Sequence, residues 1–414
     1  MRILHTSDWH LGKKLNDKDR FEEQQQVLLE IVDIVHKNDV DAVLLAGDVF
    51  DTYNPSNEAQ KLLYDTLQQI VGNGLCTVFV IAGNHDSPEK IEVIKTLAAQ
   101  SGIFLLGYPN STIFSSFPKQ DERTFMRNHA IIGMDEGFTE LHFAKYDYNL
   151  RIIHTPFANG ERFRQYLGKT KDEESVFLRE MLDGYWSALA DKYCDNKGVN
   201  VLMAHQFVIR DEDDISETEP EDEHAINVGG TSAIYTENFP QQIQYAALGH
   251  LHRNHKVGSR NIWYSGSPLE YSFAETMQDK YVIITDLEPG KEAVVENIRL
   301  TKGRKLARKE FFDIPSACTW LMENNDDLVE LTIHSDTYLN ANDKHALYDA
   351  SDKIVAIIPQ VNSTTETHRK SREINNLRSD KTELFKMYFK HQNNDQLPDQ
   401  QLIDLFNEVI NSGE

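Results

Sequence analysis

The sequence predicts an α/β fold, and three observations carry that expectation. Short apolar runs alternate with amphipathic segments through the first two thirds of the chain. No internal repeat of fixed period organises them. Five of the apolar runs end in side chains able to bind a metal, a common property of loops at the carboxyl ends of a sheet.

The elements follow in order. Residues 2–6 form a short apolar run, expected as a strand. Residues 21–36 carry Val27, Leu28, Ile31, Val32 and Val35 at helical spacing. Residues 41–46 read as a buried strand, and 57–71 as a helix with Leu63, Leu67, Ile70 and Val71 on one side. A strand at 76–82, a short helix at 91–100 and a strand at 102–106 continue the alternation. Residues 109–124 are polar and turn-rich, a loop or hairpin. A long helix is expected over 173–193, then strands at 199–204, 245–248, 262–265 and 281–286. The character changes after Leu287. Residues 294–300 and 328–334, with a helix over 343–358, read as a small α+β unit. Residues 368–381 are charged and poor in apolar side chains, a linker, and two amphipathic helices over 382–391 and 399–410 close the chain. The expected domains are therefore 1–286, 287–367, a linker at 368–381 and a helical segment at 382–414.

Composition narrows the function. The chain has 414 residues, with Lys+Arg 42 against Asp+Glu 66 and a net charge of -24. This length suits two or three domains, and 40% hydrophobic with 26% charged residues excludes wholesale disorder. No apolar run approaches the ~20 residues of a membrane helix. The first residues lack the apolar stretch of a secretory signal, so secretion is not expected. Cys76, Cys194 and Cys318 are far apart and in no metal-type spacing, as expected of reduced thiols in a cytosol. The acidic balance argues against a passive nucleic-acid coat but allows an enzyme with a local basic path. Residues 211–223 hold nine carboxylates and no basic residue, which favours a solvated loop.

The strand ends carry the chemistry. The first runs into Ser7-Asp8-Trp9-His10, the second into Gly47-Asp48-Val49-Phe50-Asp51, and the third into Gly83-Asn84-His85-Asp86. The strand at 199–204 runs into His205, and that at 245–248 into Gly249-His250-Leu251-His252. Glycines at 47, 83 and 249 suit a chain that turns sharply, or passes close to another, to aim a side chain at an ion. Asp8, His10, Asp48, Asn84, His205, His250 and His252 give three oxygen donors and four imidazoles, more than one metal needs. Two divalent ions sharing a carboxylate would use them all, and mixed N/O ligation suits Mn²⁺, Fe²⁺ or Zn²⁺.

These motifs, with Tyr264-Ser-Gly-Ser-Pro268, resemble the calcineurin-like metallophosphoesterase superfamily and, within it, the nuclease subunits of the bacterial SbcCD exonuclease family. The resemblance implies a four-layer α/β/β/α sandwich, a small α+β capping domain and a C-terminal helical segment docking on an SbcC-like coiled-coil ATPase. It implies that Asp8, His10, Asp48 and His252 hold one Mn²⁺ (Mg²⁺ being the alternative) and that Asp48, Asn84, His205 and His250 hold the other. His85 would lie just outside the metals as the catalytic acid, with Asp51 holding it and Asp86 as the alternative. The activity implied is two-metal hydrolysis of DNA phosphodiesters, exonucleolytic and endonucleolytic, in end processing, repair, recombination and replication. The chain would act in the bacterial cytoplasm at the nucleoid.

Lys13, Lys14, Lys18 and Arg20 after the first metal loop, and Lys302, Arg304, Lys305, Arg308 and Lys309, are candidates for meeting DNA, although solvated faces would look the same. Leu63, Leu67, Ile70, Ile94 and Leu97 could form a homodimer seam or pack on their own sheet. Leu384, Phe385, Tyr388 and Phe389, and Leu402, Leu405, Phe406, Val409 and Ile410, give each terminal helix an apolar face for the partner. Against a protein phosphatase, Thr52 follows Asp51 where an arginine would be expected, and Asp86 follows His85 where a glutamate would. A non-catalytic scaffold would be expected to have lost ligands.

Overall fold

The computed structural model describes residues 1–72, 74–114, 129–158, 174–211, 214, 233–335, 339–361, 385, 398, 402–403 and 406. The strands are β1 (Arg2–Thr6), β2 (Ala42–Ala46), β3 (Thr77–Ile81), β4 (Ile103–Leu106), β5 (His129–Asp135), β6 (Phe138–Phe143), β7 (Asn149–Thr155), β8 (Val199–His205), β9 (Val208–Ile209), β10 (Ile234–Tyr235), β11 (Tyr245–Gly249), β12 (His255–Lys256), β13 (Ile262–Tyr264), β14 (Tyr281–Asp286) and β15 (Val294–Arg299). They build a six-stranded sheet ordered β15-β14-β1-β2-β3-β4, a seven-stranded sheet ordered β12-β13-β11-β8-β7-β6-β5, and the pair β10-β9. Strands β1 to β4 run parallel, as do β7, β8, β11 and β13.

Alternation of side chains sorts each strand between two cores. From β2, Leu44 and Ala46 join Phe79, Val201, Met203 and Ala247 between the sheets. Val43 and Leu45 point the other way, against helices α1 (Phe21–Lys37) and α2 (Asn57–Val71). Beyond the second sheet, Ile153, Leu202 and Leu248 meet Leu182, Trp186 and Ala190 of the helix Glu174–Tyr193. Helix, sheet, sheet and helix therefore stack as four layers, as expected. His5 ties the sheets together, its Nδ1 2.9 Å from the Tyr245 hydroxyl and its Nε2 3.0 Å from the Leu248 carbonyl O.

Three differences from the sequence reading stand out. The helix expected over 91–100 is two short helices, α3 (Pro88–Glu92) and α4 (Lys95–Ala99), which makes the long helix Glu174–Tyr193 α5. Strands β5 to β7 have no counterpart in the sequence reading. The apolar/polar alternation of β5 is broken by a register shift between Ile131 and Gly133, which hides the period. The segment expected to open the small domain is β15, and it pairs antiparallel with β14 at the edge of the first sheet. Of the possible dimer seam, Leu63, Leu67 and Ile70 are buried in the chain's own core, Ile94 packs against it, and Leu97 is 67% exposed.

The chain divides into two compact units, Met1–Arg308 with Asn324–Glu330 and Lys353–Ala356, and Lys309–Glu323 with Leu331–Asp352 and Ile357–Glu414. A third sheet has the order β16 (Leu306–Phe311), β17 (Leu328–Ser335), β18 (Ile354–Val361). Helices α6 (Ile314–Glu323) and α7 (Ala341–Ala350) pack on each other in the second unit. There, the Phe385 and Phe406 rings stack with centroids 4.1 Å apart. The linker expected over 368–381, together with Leu384, Tyr388, Phe389, Leu405, Val409 and Ile410, lies outside the described residues. Among the described residues no helix is long and apolar enough to cross a membrane.

Candidate metal centre

The seven candidate ligands leave the C-terminal ends of β1, β2, β3, β8 and β11 and meet in one buried cluster. Strand-end loops supply short side chains on a rigid frame, but aiming them there requires unusual backbone. Asp8 (φ 54), His10 (φ 43), Asp48 (φ 48) and His250 (φ 108) all lie in the left-handed half of backbone space. Each such residue costs on the order of 1–3 kcal/mol and persists where surroundings hold it. Here Asp8 N donates to Gly47 O at 2.9 Å, His10 N to Asp48 O at 3.0 Å, and His250 N to Asp8 Oδ1 at 3.0 Å. Gly249 answers to close approach rather than to φ: a Cβ there would sit 1.8 Å from the Ala46 carbonyl O.

Around Asp48, its Oδ2 lies 3.4 Å from His205 Nε2 and 3.7 Å from His10 Nε2, and its Oδ1 accepts from His85 N at 2.9 Å. His205 Nδ1 donates to Ala46 O at 2.8 Å. A carbonyl only accepts, so that contact places the proton on Nδ1 and turns the Nε2 lone pair to the cluster in the neutral ring. Asn84 Oδ1 lies 2.9 Å from His205 Nε2 and 3.1 Å from His250 Nδ1. On the other side, His10 Nε2 and His252 Nε2 face each other at 3.0 Å. Ligand-type atoms of Asp8, His10 and His252 lie within 4.8 Å of one another, as do those of Asp8, Asp48 and His205.

The buried groups of the cluster shift one another's ionisation. Burial would raise the Asp48 carboxyl, but His205 and His10 override it and hold its pKa well below the usual carboxylate range. Burial would lower His205, yet Asp48 beside it, with Asp8 and the Ala46 carbonyl, lifts it to about 10. Asp8 is pushed up to about 6 by burial, against the pull of His205 and His252. Burial lowers His10 well below the ordinary histidine value despite Asp48. Asp48 Oδ2 and His10 Nδ1 are buried with no hydrogen-bond partner. Buried polar atoms of native proteins are normally satisfied. The cluster brings together carboxylate and amide oxygens with imidazole nitrogens, a mixed donor set that fits a dimetal centre.

Some sequence-based assignments need correction. His85 Nδ1 lies 3.0 Å from the Asp51 backbone carbonyl O, whereas the Asp51 carboxylate takes Lys13 Nζ at 3.0 Å. Asp51 thus holds His85 through its main chain. The Asp86 carboxylate accepts from Gly83 N at 2.8 Å, Phe50 N at 2.9 Å and Val49 N at 3.0 Å, so it ties the second and third metal loops together. Arg20 is 1% exposed and binds Glu23 and the Glu270 carbonyl, which removes it from any DNA-facing surface. Lys14, Lys302, Arg304 and Lys305 are exposed and Lys13 is half-buried. Of the acidic run only Asp211 and Asp214 fall among the described residues.

Other residues at the site carry no assigned role in the sequence reading. Gln24 of α1 accepts from Gly12 N at 3.0 Å and donates to His10 O at 2.9 Å. Ser7 bonds the Asp8 carboxylate and lies 2.8 Å from Ser265 Oγ, which brings the Tyr264–Pro268 motif to the first ligand. Glu275 Oε1 lies 3.1 Å from His252 Nδ1. A polar residue on the buried face of α1, where Gln24 falls, is the one signal the sequence offers; Glu275 has none, being an ordinary carboxylate in a polar stretch.

The sequence profile of the Metallophos family, Calcineurin-like phosphoesterase, matches residues 1–254. The chain is 30% identical over 427 residues to the SbcD subunit of the SbcCD nuclease of Bacillus subtilis (strain 168), covering 100% of this chain and 99% of that one. It is 28% identical to the protein of the same name from Escherichia coli (strain K12), over 90% of this chain and 86% of the relative. With the Rhodobacter capsulatus protein of that name it shares 30% over 70% of this chain and 67% of the relative. The fold, the cluster at the strand ends and a match over more than half its length place this chain in the calcineurin-like phosphoesterase family.

Proposed function

We propose that the chain is the nuclease subunit of an SbcCD-like complex and hydrolyses DNA phosphodiester bonds at this centre. One observation carries the reading: the buried Asp48 Oδ2, which accepts no hydrogen bond, stands 3.4 Å from His205 Nε2 and 3.7 Å from His10 Nε2, between two groups of imidazoles and beside a histidine that neither group requires. Asp8, His10, Asp48 and His252 would hold one divalent ion, and Asp48, Asn84, His205 and His250 the other. Four imidazoles favour Mn²⁺ over Mg²⁺, which prefers oxygen donors and retained waters. When bound, such ions supply the charge that eases deprotonation of a water and stabilises the phosphoryl oxygens.

The protein's own part is positioning and proton transfer. His85 is pinned twice, by its N–H on Asp48 Oδ1 and its Nδ1–H on the Asp51 carbonyl O. Its exchangeable proton is then on Nε2, from which the imidazolium donates to the leaving 3′ oxygen. An open cleft of about 480 Å³ borders Asp51 and is lined by Leu11, Lys13, Lys14, Thr52, Asn54 and Ser56. The ammonium groups there meet the polyanion, and exposed Lys302, Arg304 and Lys305 extend the basic path.

With net charge -24 the chain grips DNA weakly alone, so a coiled-coil ATPase of the SbcC kind, bound through the C-terminal aromatic segment, supplies the rest. The stacked Phe385 and Phe406 support a paired-helix docking element. A capping role for the 287–367 region, and pairing of two chains through exposed Val93 and Leu97, belong to the same proposal. The test is cleavage of labelled linear and hairpin DNA by the purified chain, with and without the partner, in EDTA, Mg²⁺ and Mn²⁺. Metal-dependent cleavage is expected, and equal products in EDTA and Mn²⁺ refute it.

A further inference from the structure

Beside the cluster lies a buried ion pair that the reaction itself does not use. Glu275 ends a short 3₁₀ turn, Phe273–Glu275, capped by Ser272. Its carboxylate meets the Lys280 ammonium, and each side chain is 9% exposed. Lys280 Nζ also donates to Ser267 Oγ at 2.9 Å and to the His252 carbonyl O at 3.0 Å. Glu275 Oε1 takes Tyr271 N at 3.2 Å and lies 3.1 Å from His252 Nδ1. The pair therefore grips His252 twice, by its ring and by its backbone.

A buried ion pair is a poor device for stability alone, because the cost of desolvating two charges consumes most of their attraction. Its placement supplies another reason. A carboxylate only accepts, so Nδ1 of His252 carries the proton and the Nε2 lone pair is turned toward His10 and the cluster. Lys280 in turn fixes the carboxylate, and Ser267 fixes Lys280. A metal-binding imidazole whose second nitrogen is held by a carboxylate has its tautomer, orientation and basicity set in advance.

We propose that Glu275, braced by Lys280, is a positioning residue for His252 and sets the affinity of one metal position, that of Asp8, His10, Asp48 and His252, while leaving the other nearly untouched. This rests on the two-ion reading above. The asymmetry follows from geometry, since His205 and His250 are held by Ala46, Asn84 and Asp8 instead.

The test is Mn²⁺ titration calorimetry on the full chain, wild type against Glu275→Gln and Glu275→Asp, with thermal melting of each in EDTA. Gln keeps the length and removes the charge. Asp keeps a charge near Lys280 and withdraws it from the imidazole by about 1.5 Å. Both variants should bind one ion with wild-type affinity and the other ~10–100-fold more weakly. Wild-type affinities at both positions, in either variant, overturn the inference. So does an equal weakening of both positions with a lowered melting temperature in EDTA, the signature of a purely structural pair. A wild-type chain that binds fewer than two ions overturns instead the two-ion reading beneath it.

Discussion

Under the proposed reading, Asp48 holds the ions and His85 takes part in the reaction. Asp48 is fully buried, with one oxygen fixed by His85 N and the other 3.4 Å from His205 Nε2 and 3.7 Å from His10 Nε2. Asp48→Ala should therefore abolish binding at both metal positions, whereas His252→Ala should weaken mainly one, as Mn²⁺ titration will report. His85 reaches the cluster without completing either donor set. His85→Ala should retain metal and DNA affinity while lowering turnover ~10²-fold or more, read in single-turnover cleavage. A wild-type rate would remove its role as proton donor. All seven candidate ligands are legible in the sequence because Asp-x-His, Gly-Asp, Gly-Asn-His, the lone His205 and Gly-His-x-His each follow an apolar run. What holds them is not: Glu275 and Gln24 reach the site across the fold, from 23 and 14 residues away in sequence. The way Asp51 meets His85 is hidden for a related reason. A sequence displays side chains, and the contact to His85 runs through a main-chain oxygen.

At the scale of elements, the parallel strands and the helices flanking them are legible, since full burial gives β2 and β3 unbroken apolar runs and α1 a clean helical period. Strands β5 to β7 are not: in β5 a bulge disturbs the alternation, Ile132 is exposed and His129 is buried, so no inward apolar and outward polar pattern shows. The strand ends are packed too tightly for added atoms. Gly249→Ala would set a methyl against the Ala46 carbonyl and His205 Nδ1. It should cost ~2–3 kcal/mol or more and weaken the His205 position, checked by denaturant melts and metal titration. Gly184 supplies the contrast. It lies within α5 with nothing within 4 Å of a new Cβ, so Gly184→Ala should stabilise the chain by up to ~1 kcal/mol. A second run of carboxylate contacts holds the stretch leading out of β15. Glu30 accepts from Thr301 N and Lys302 N, Glu23 from Arg304 N, and Glu270 from Leu306 N. This places the backbone of the basic run, which the sequence displays only as a set of charges.

Over the whole molecule, interior titratable groups make stability depend on pH. Burial lowers His5 and His154 to about 3 and His129 to about 4. Unfolded histidines titrate near 6.5, so below that value the unfolded chain binds protons that these three refuse, and stability falls with pH. Asp8 and Asp86, raised to about 6 by burial, act in the opposite sense, because the folded chain holds their protons where the unfolded chain does not. Burial lowers His10 in the same way, so four groups against two leave a net loss of ~2.7 kcal/mol per pH unit from about pH 6 to 4.5 in the metal-free chain. Denaturant melts in EDTA at those two pH values check this. Filling the cluster with divalent cations should remove the contribution of Asp8 and raise stability at neutral pH by mass action. The central claim, that five strand ends build one centre for two ions bridged by Asp48, is met most directly by anomalous diffraction from crystals soaked in Mn²⁺. Two peaks ~3.5–4 Å apart with Asp48 touching both are expected; a single peak, or two peaks with Asp48 touching neither, would rule out a shared two-ion centre.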